Sequence, residues 1–234
     1  MLFIMSLFLS LVSPLYAIVF TSTVMCLADR LTTSSIIDTP RSVCDHCRRQ
    51  LTWWQLVPIF GWLCQRGRCH FCHVAISARY VLYEISIGIL TTCLSLRTSF
   101  HLTWATICFL LVLLALAEID RIMTSVPTVL NVILLLAALT LRQPPLREWG
   151  CLFVVFILGQ LVLHYHPVLG NGDLDIMIIF VIAWGWLAMT QIVLISCVLA
   201  LLRQRHSQPL QQPFIPDLWR GCLTFCFLHV FTLI

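Results

Sequence analysis

The chain has 234 residues, of which 60% are hydrophobic and only 10% charged, with a mean hydropathy of +0.96. Soluble domains carry about a quarter charged residues, so the composition excludes a water-soluble fold and predicts an all-α polytopic membrane protein whose main solvent and partner is the lipid bilayer. Fourteen Arg, no Lys and ten Asp+Glu give a formal charge of +4. So small a charge spread over many loops leaves no footprint for nucleic acid.

Residues 2–27 are apolar with no charge before Asp29, enough to cross a hydrocarbon core of about 30 Å at about 1.5 Å per residue. Signal peptides open with positive charge, and Met1–Phe20 holds neither Arg nor Lys, which predicts a retained first transmembrane helix. A polar stretch, 28–79, follows. Apolar runs then lie near 80–96, 102–119, 126–141, 149–165 and 174–202, with a short one at 221–234. The 174–202 block is too long for one ordinary span. Its centre, Ala183-Trp184-Gly185-Trp186, predicts a tight hairpin between two helices, with one tilted and kinked helix as the alternative. Seven of the 14 Arg fall in 28–79, which by the positive-inside rule places that loop in the cytoplasm and the N-terminus outside. With a hairpin in 174–202 there are about eight spans, with ten Arg inside and three outside; six or seven spans are the alternatives. The chain thus divides into a first transmembrane helix (1–27), a cytoplasmic cysteine-rich loop (28–79) and a transmembrane domain (80–234). Residues 204–217 read as a loop with turn signals at Pro209, Pro213 and Pro216. No internal repeat is apparent in the sequence.

The loop carries Cys44-Asp45-His46-Cys47 and, after 21 intervening residues, Cys69-His70-Phe71-Cys72. Paired Cys-x-x-Cys knuckles are a zinc-site pattern, and four thiolates can close a tetrahedron round Zn²⁺. In a cytoplasmic loop thiols stay reduced, so metal binding outranks a disulfide. The expectation is a structural zinc on Cys44, Cys47, Cys69 and Cys72, with Cys64, His46, His70 and His73 as possible substitutes. The alternative is free thiols in a chain that uses 12 cysteines. Between the knuckles, Leu51–Trp62 is rich in aromatic residues, which favour the headgroup level. It reads equally as an interfacial anchor and as a lid or substrate platform.

Acidic residues at apolar spans are costly and point to function. The candidates are Glu84, Glu118, Asp120, Asp173 and Asp175; Asp29, Asp38, Asp45, Glu148 and Asp217 fall in loops or at their edges. Glu118 and Asp120 close one span, and Asp173 and Asp175 open another after Gly170-Asn171-Gly172. Both ends lie on the expected cytoplasmic side, so the two clusters share a depth and can face one another. Acids two residues apart diverge by about 200° round a helix, so one of each pair can point at a shared centre. Gly170 and Gly172 permit a tight turn and a close approach, and Asp173 falls near a helix N-terminus, where a carboxylate is favoured. Two carboxylates sharing a proton can activate water and protonate a leaving amine. On spacing alone an ion- or proton-coupled transporter competes equally with a peptidase, and Asp120 paired with Arg121 would be simply structural.

In order and spacing the motifs resemble the type IV prepilin peptidases, intramembrane aspartyl proteases with a Gly-x-Gly-Asp motif. Arg41-Ser-Val-Cys-Asp-His-Cys47, Leu51-Thr-Trp-Trp-Gln-Leu-Val-Pro58, Arg66-Gly-Arg-Cys-His-Phe-Cys72 and Ile76-Ser-Ala-Arg-Tyr-Val-Leu-Tyr-Glu84 look like that family's N-terminal cysteine domain. Ile119-Asp-Arg-Ile-Met-Thr-Ser-Val-Pro127 resembles its first catalytic motif, Gly170-Asn-Gly-Asp173 its second, and Pro213-Phe-Ile-Pro216 its late Pro-Phe-x-Pro segment. The resemblance implies Asp120 and Asp173 as the catalytic pair, with Glu118 and Asp175 as bystanders. It further implies a bacterial inner-membrane enzyme that cleaves the leader of prepilins or pseudopilins at the cytoplasmic membrane face. One carboxylate would deprotonate water while the other polarises the scissile carbonyl. Where that family often carries Lys two residues after the second Asp, this chain has Asp175. Some members also methylate the new N-terminus with S-adenosylmethionine; no motif for that cofactor is placed in 28–79. The readings from other classes are an ion-coupled or metal-binding transporter and a non-enzymatic pilus or secretion assembly factor.

Overall fold

The computed structural model describes residues 2–33, 41–44, 46–123, 127–165, 170–204 and 213–232. Asp38, Asp45, the 124–126 stretch of the first acidic motif, 166–169 and the turn signal at Pro209 lie outside the described residues. Among the described residues the chain is helical, without strands beyond two isolated bridges in the cysteine loop. It forms two compact units, Met1–Phe100 and His101–Ile234. Four helical stretches, Leu11–Thr32, Phe100–Met123, Leu146–Tyr165 and Trp186–Gln204, are long and apolar enough to cross a membrane. With the shorter apolar helices they make an all-α polytopic membrane protein.

In the first unit, α1 (Leu2–Thr33) packs against α3 (Arg79–Arg97), with the short α2 (Phe60–Cys64) in the loop between them. The two long helices approach closely at Gly88, where a Cβ would lie 2.8 Å from Ile18 Cδ1. The cytoplasm-predicted ends of both helices are tied by Tyr80, whose hydroxyl donates to Asp29 at 2.5 Å, and by Arg79, 3.5 Å from the same carboxylate. One turn on, buried Glu84 accepts the Ile59 N–H at 2.6 Å. Ile59 has φ 61°, a conformation that a β-branched residue rarely adopts. Glu84 thus anchors a strained turn of the loop to the membrane helix.

The second unit contains α4 (Phe100–Met123), α5 (Thr128–Leu141), α6 (Leu146–Tyr165), α7 (Asn171–Trp184), α8 (Trp186–Gln204) and α9 (Ile215–Thr232). Phe100, the first residue of α4, closes the first unit. A helix apolar on every side is at home either in a core or in lipid, and this unit uses both. Of the spanning windows, 72% of α4 is buried but only 6% of α6. Phe109, Leu110, Leu113, Leu114 and Leu116 make α4 the centre of the core, while Phe153, Val154, Phe156 and Leu158 turn α6 outward, as lipid requires.

The 174–202 block is broken at Gly185, whose φ of 90° suits glycine alone. The resulting α7 and α8 pack on one another, and α7 also packs on α5 and α6. At 14 residues each, α5 and α7 reach about 21 Å, short of a full hydrocarbon core. Helix α8 lies close against α9 at Gly221, where a Cβ would sit 2.9 Å from the Ile192 carbonyl oxygen. The Trp219 indole N–H donates to the Leu110 carbonyl at 3.0 Å, fixing α9 to α4.

Candidate active site and metal centre

Asp120 lies in the last turn of α4 and is 7% exposed; Asp173 lies in the first turn of α7. The two carboxylates come within electrostatic reach, the charge of Asp120 acting on Asp173. The helix geometry that lets only one acid of each pair face the shared centre is resolved by the partners of the others. Glu118 is gripped by its own helix neighbour Arg121, at 3.1 Å from Nε and 3.0 Å from Nη2. Asp175 accepts from Asn131 Nδ2 of α5 at 3.3 Å. The Arg121 guanidinium therefore ion-pairs with Glu118, rather than with the adjacent Asp120.

Ile215, the first residue of α9, brings its backbone N–H towards the Asp120 carboxylate. That N–H is one of the helix's orphan donors, and the helix dipole favours a carboxylate there. The second oxygen, Asp120 Oδ2, is buried with no hydrogen-bond partner among the described residues. A buried polar atom of this kind asks for a water or a ligand.

Asp173 is held by the turn that precedes it. Its N–H donates to the Gly170 carbonyl at 3.1 Å. A Cβ on Gly170 would lie 3.2 Å from Asp173 Oδ2. The expected tight-turn role for this glycine is corrected in one respect: its φ is −68°, open to any residue. Space beside the carboxylate, rather than backbone freedom, is what calls for glycine. Gly172 lies within the first turn of α7.

The four cysteines of the loop converge. The sulfurs of Cys44, Cys47, Cys69 and Cys72 all lie within 4.8 Å of one another, and Cys44 and Cys72 are 3.8 Å apart. A Zn–S length of about 2.3 Å requires tetrahedral edges of about 3.8 Å, so the donor set fits that ion. Both knuckles are built the same way. Bridges Val43↔Gln50 and Arg68↔Ala75 close them, and Arg48 (φ 57°) and His73 (φ 58°) turn the chain at equivalent positions. Backbone amides of Cys72 and Phe71 pull the Cys69 thiol down to about 7. Against a backbone hydrogen bond from Val74, burial and the neighbouring sulfurs push Cys72 up to about 11. Cys64 stands outside the cluster and is exposed; His70 stacks edge-on against Trp54 at 5.8 Å. In the aromatic segment Trp53, Leu56, Val57 and Phe60 are exposed, as is Leu63 just after it, and the Trp62 indole donates to the Ile76 carbonyl at 3.2 Å.

Sequence reasoning missed two contributors. Asp217, read as a loop-edge residue, is on α9 and fully buried, 2.9 Å from Arg203 and 3.1 Å from Arg220. Its spacing of three from Arg220 was a usable signal. Asn131 was the other: an amide in an otherwise apolar run is costly in lipid unless it finds a partner.

Residues 15–98 match the family described as Bacterial Peptidase A24 N-terminal domain. Among curated relatives, the prepilin leader peptidase/N-methyltransferase of Burkholderia pseudomallei is 32% identical over 217 residues, spanning 84% of this chain and 70% of its own. The protein of that name from Aeromonas salmonicida is 32% identical over 204 residues (76% and 68% of the two chains), and that from Dickeya chrysanthemi 30% over 198 (77% and 70%). No solved structure matches. Identity of this extent over more than two thirds of both chains means that the protein belongs to the prepilin leader peptidase/N-methyltransferase family.

Proposed function

We propose that this protein is a bacterial inner-membrane aspartyl endopeptidase that cleaves the leader of type IV prepilin-like or pseudopilin precursors, with Asp120 and Asp173 as its catalytic pair. The observation that carries the reading is the placement of Asp120 in the last turn of α4 and Asp173 in the first turn of α7, near enough for one charge to act on the other, while Glu118 and Asp175 are taken up by Arg121 and Asn131. Like charges in one site split their proton affinities, so one acid is ionised while its neighbour keeps a proton. The ionised member takes a proton from water as it attacks the scissile carbonyl. The protonated member donates to the carbonyl oxygen, and a proton then passes to the departing amine. The unpartnered Asp120 Oδ2 is a natural seat for that water.

The seven arginines of 28–79 favour a cytoplasmic cysteine loop by the positive-inside rule, the side on which a basic leader would be met. The four cysteines hold a structural zinc, which would fix the loop's two knuckles to each other. The exposed apolar residues round Trp53 and Phe60 suit the headgroup layer. Where the product is N-methylated, S-adenosylmethionine supplies the methyl group; the cleavage step does not pass through it.

The reading is tested by incubating the purified protein in detergent with a prepilin bearing its leader, and with no ion gradient. Cleavage at a single site supports it. An intact substrate, together with cation-driven uptake in proteoliposomes, would favour the transporter reading of the same acids.

A further inference from the structure

Between the ends of α1 and α3 and the cysteine loop, the first unit holds a cavity of about 620 Å³, inside the range of about 300–1,000 Å³ that cofactor and small-molecule sites occupy. Its lining is scattered from Ser22 to Glu84, so no contiguous stretch of sequence marks it. Two polar side chains on that lining, Gln55 and Glu84, are only 8% and 5% exposed. Through its bond from the Ile59 N–H at 2.6 Å, Glu84 pins a wall of the cavity whose backbone, at φ 61°, is strained. Strain of this kind persists where the surrounding structure imposes it, as at ligand clamps. Trp62 is just as fixed. Its indole N–H donates to the Ile76 carbonyl at 3.2 Å, and its ring packs on Gly67, where a Cβ would lie 2.7 Å away.

The charges on the lining are of both signs. Arg30, Arg41 and Arg79 stand with Asp29 and Glu84, beside the rings of Trp62 and Tyr80. Guanidinium groups suit a carboxylate, acids suit an ammonium, and aromatic faces suit a purine or a sulfonium cation. S-adenosylmethionine carries all of these groups on one molecule. A basic leader would meet three arginines here, and a lipid tail would meet five charged side chains. We propose that this cavity is the S-adenosylmethionine site, with Arg30 and Arg41 for the carboxylate, Asp29 and Glu84 for the cationic centres, and Trp62 and Tyr80 for the purine. The proposal rests on the N-methylation reading above and places that cofactor in the unit that does not contain Asp120 and Asp173.

The test is equilibrium dialysis of the full chain in detergent against methyl-tritiated S-adenosylmethionine, which reads binding without turnover. Wild type should bind one molecule per chain, and S-adenosylhomocysteine should displace it. Ala75→Trp fills the cavity without removing a charge, and Arg30→Gln removes one. Each should weaken binding about tenfold or more at equal folded yield. If either fails to fold, Arg41→Gln, at an exposed position, takes its place with the same expected loss. Asp120→Asn should bind as wild type does. A wild type that cleaves prepilin but binds no S-adenosylmethionine would overturn the proposal and leave the peptidase reading standing. Binding that the cavity variants do not weaken, or that Asp120→Asn abolishes, would equally overturn it. A wild type that binds the cofactor, loses it in the cavity variants and yet leaves prepilin uncut would sustain the site and defeat the peptidase reading.

Discussion

Replacing the Gly170 hydrogen with a methyl group would press on Asp173, since a Cβ there lies 3.2 Å from its Oδ2. The backbone at Gly170 suits alanine, so the cost falls on the carboxylate and leaves the fold alone. Gly170→Ala is expected to reduce kcat about tenfold, the scale that a small misplacement of a reacting group carries, while the melting temperature stays within a few degrees. Steady-state kinetics beside a thermal melt checks both. Asp175→Asn and Glu118→Gln should behave oppositely and keep cleavage within a few-fold of wild type, because their carboxylates are engaged by Asn131 and Arg121. A loss of a hundredfold or more in either would return that acid to the reacting pair. At this scale the sequence was half legible. Two-residue spacing showed that each acidic pair must split, but which member turned inward depended on Asn131, 44 residues from Asp175. Position along a helix says nothing of a neighbour supplied by another helix.

Among the elements, α8 and α9 cross at a place made for small residues. Gly221 faces the Ile192 carbonyl and the buried Ser196, and its Cβ would lie 2.9 Å from that carbonyl oxygen. Close approach of backbones at Gly and Ser is a common way to join helices in lipid, where the hydrophobic effect gives no drive for association. Gly221→Ala is expected to destabilise the second unit by about 1–3 kcal/mol, the usual range for overpacking, read as a lower melting temperature in a fixed detergent. An unchanged melt would mean that α9 can slide. The break at Gly185 was visible in the sequence as a glycine between two tryptophans in an overlong apolar block. The burial of Asp217 was not: proline spacing marked the segment as a loop, and Arg203, supplied by α8, joins Arg220 of α9 in balancing the buried carboxylate.

For the whole molecule, composition alone placed the chain in a membrane, because 10% charged residues cannot clothe a soluble surface. The outward apolar face of α6 shows the consequence. The cysteine loop was legible from spacing because local turns build it: each knuckle closes within eight residues, by the bridges Val43↔Gln50 and Arg68↔Ala75. The paired Cys-x-x-Cys spacing was plain, but the shared turn geometry was hidden, since the equivalent turn residues, Arg48 and His73, share no chemistry. Purified protein is expected to carry one zinc per chain by elemental analysis. Cys69→Ser or a strong chelator should remove it and lower the melting temperature of the first unit, since binding energy at such sites is folding energy. Metal-free protein with an unaltered melt would contradict this.

The central claim is that two carboxylates on different helices make one reacting centre. Its most direct measurement is the single-turnover rate of leader cleavage in detergent for Asp120→Asn and Asp173→Asn beside wild type, at equal folded yield. Each substitution leaves a group of the same shape that can no longer serve as the acid or base, so both variants should lose at least a thousandfold while still binding the prepilin. Cleavage within tenfold of wild type in either variant would contradict the account.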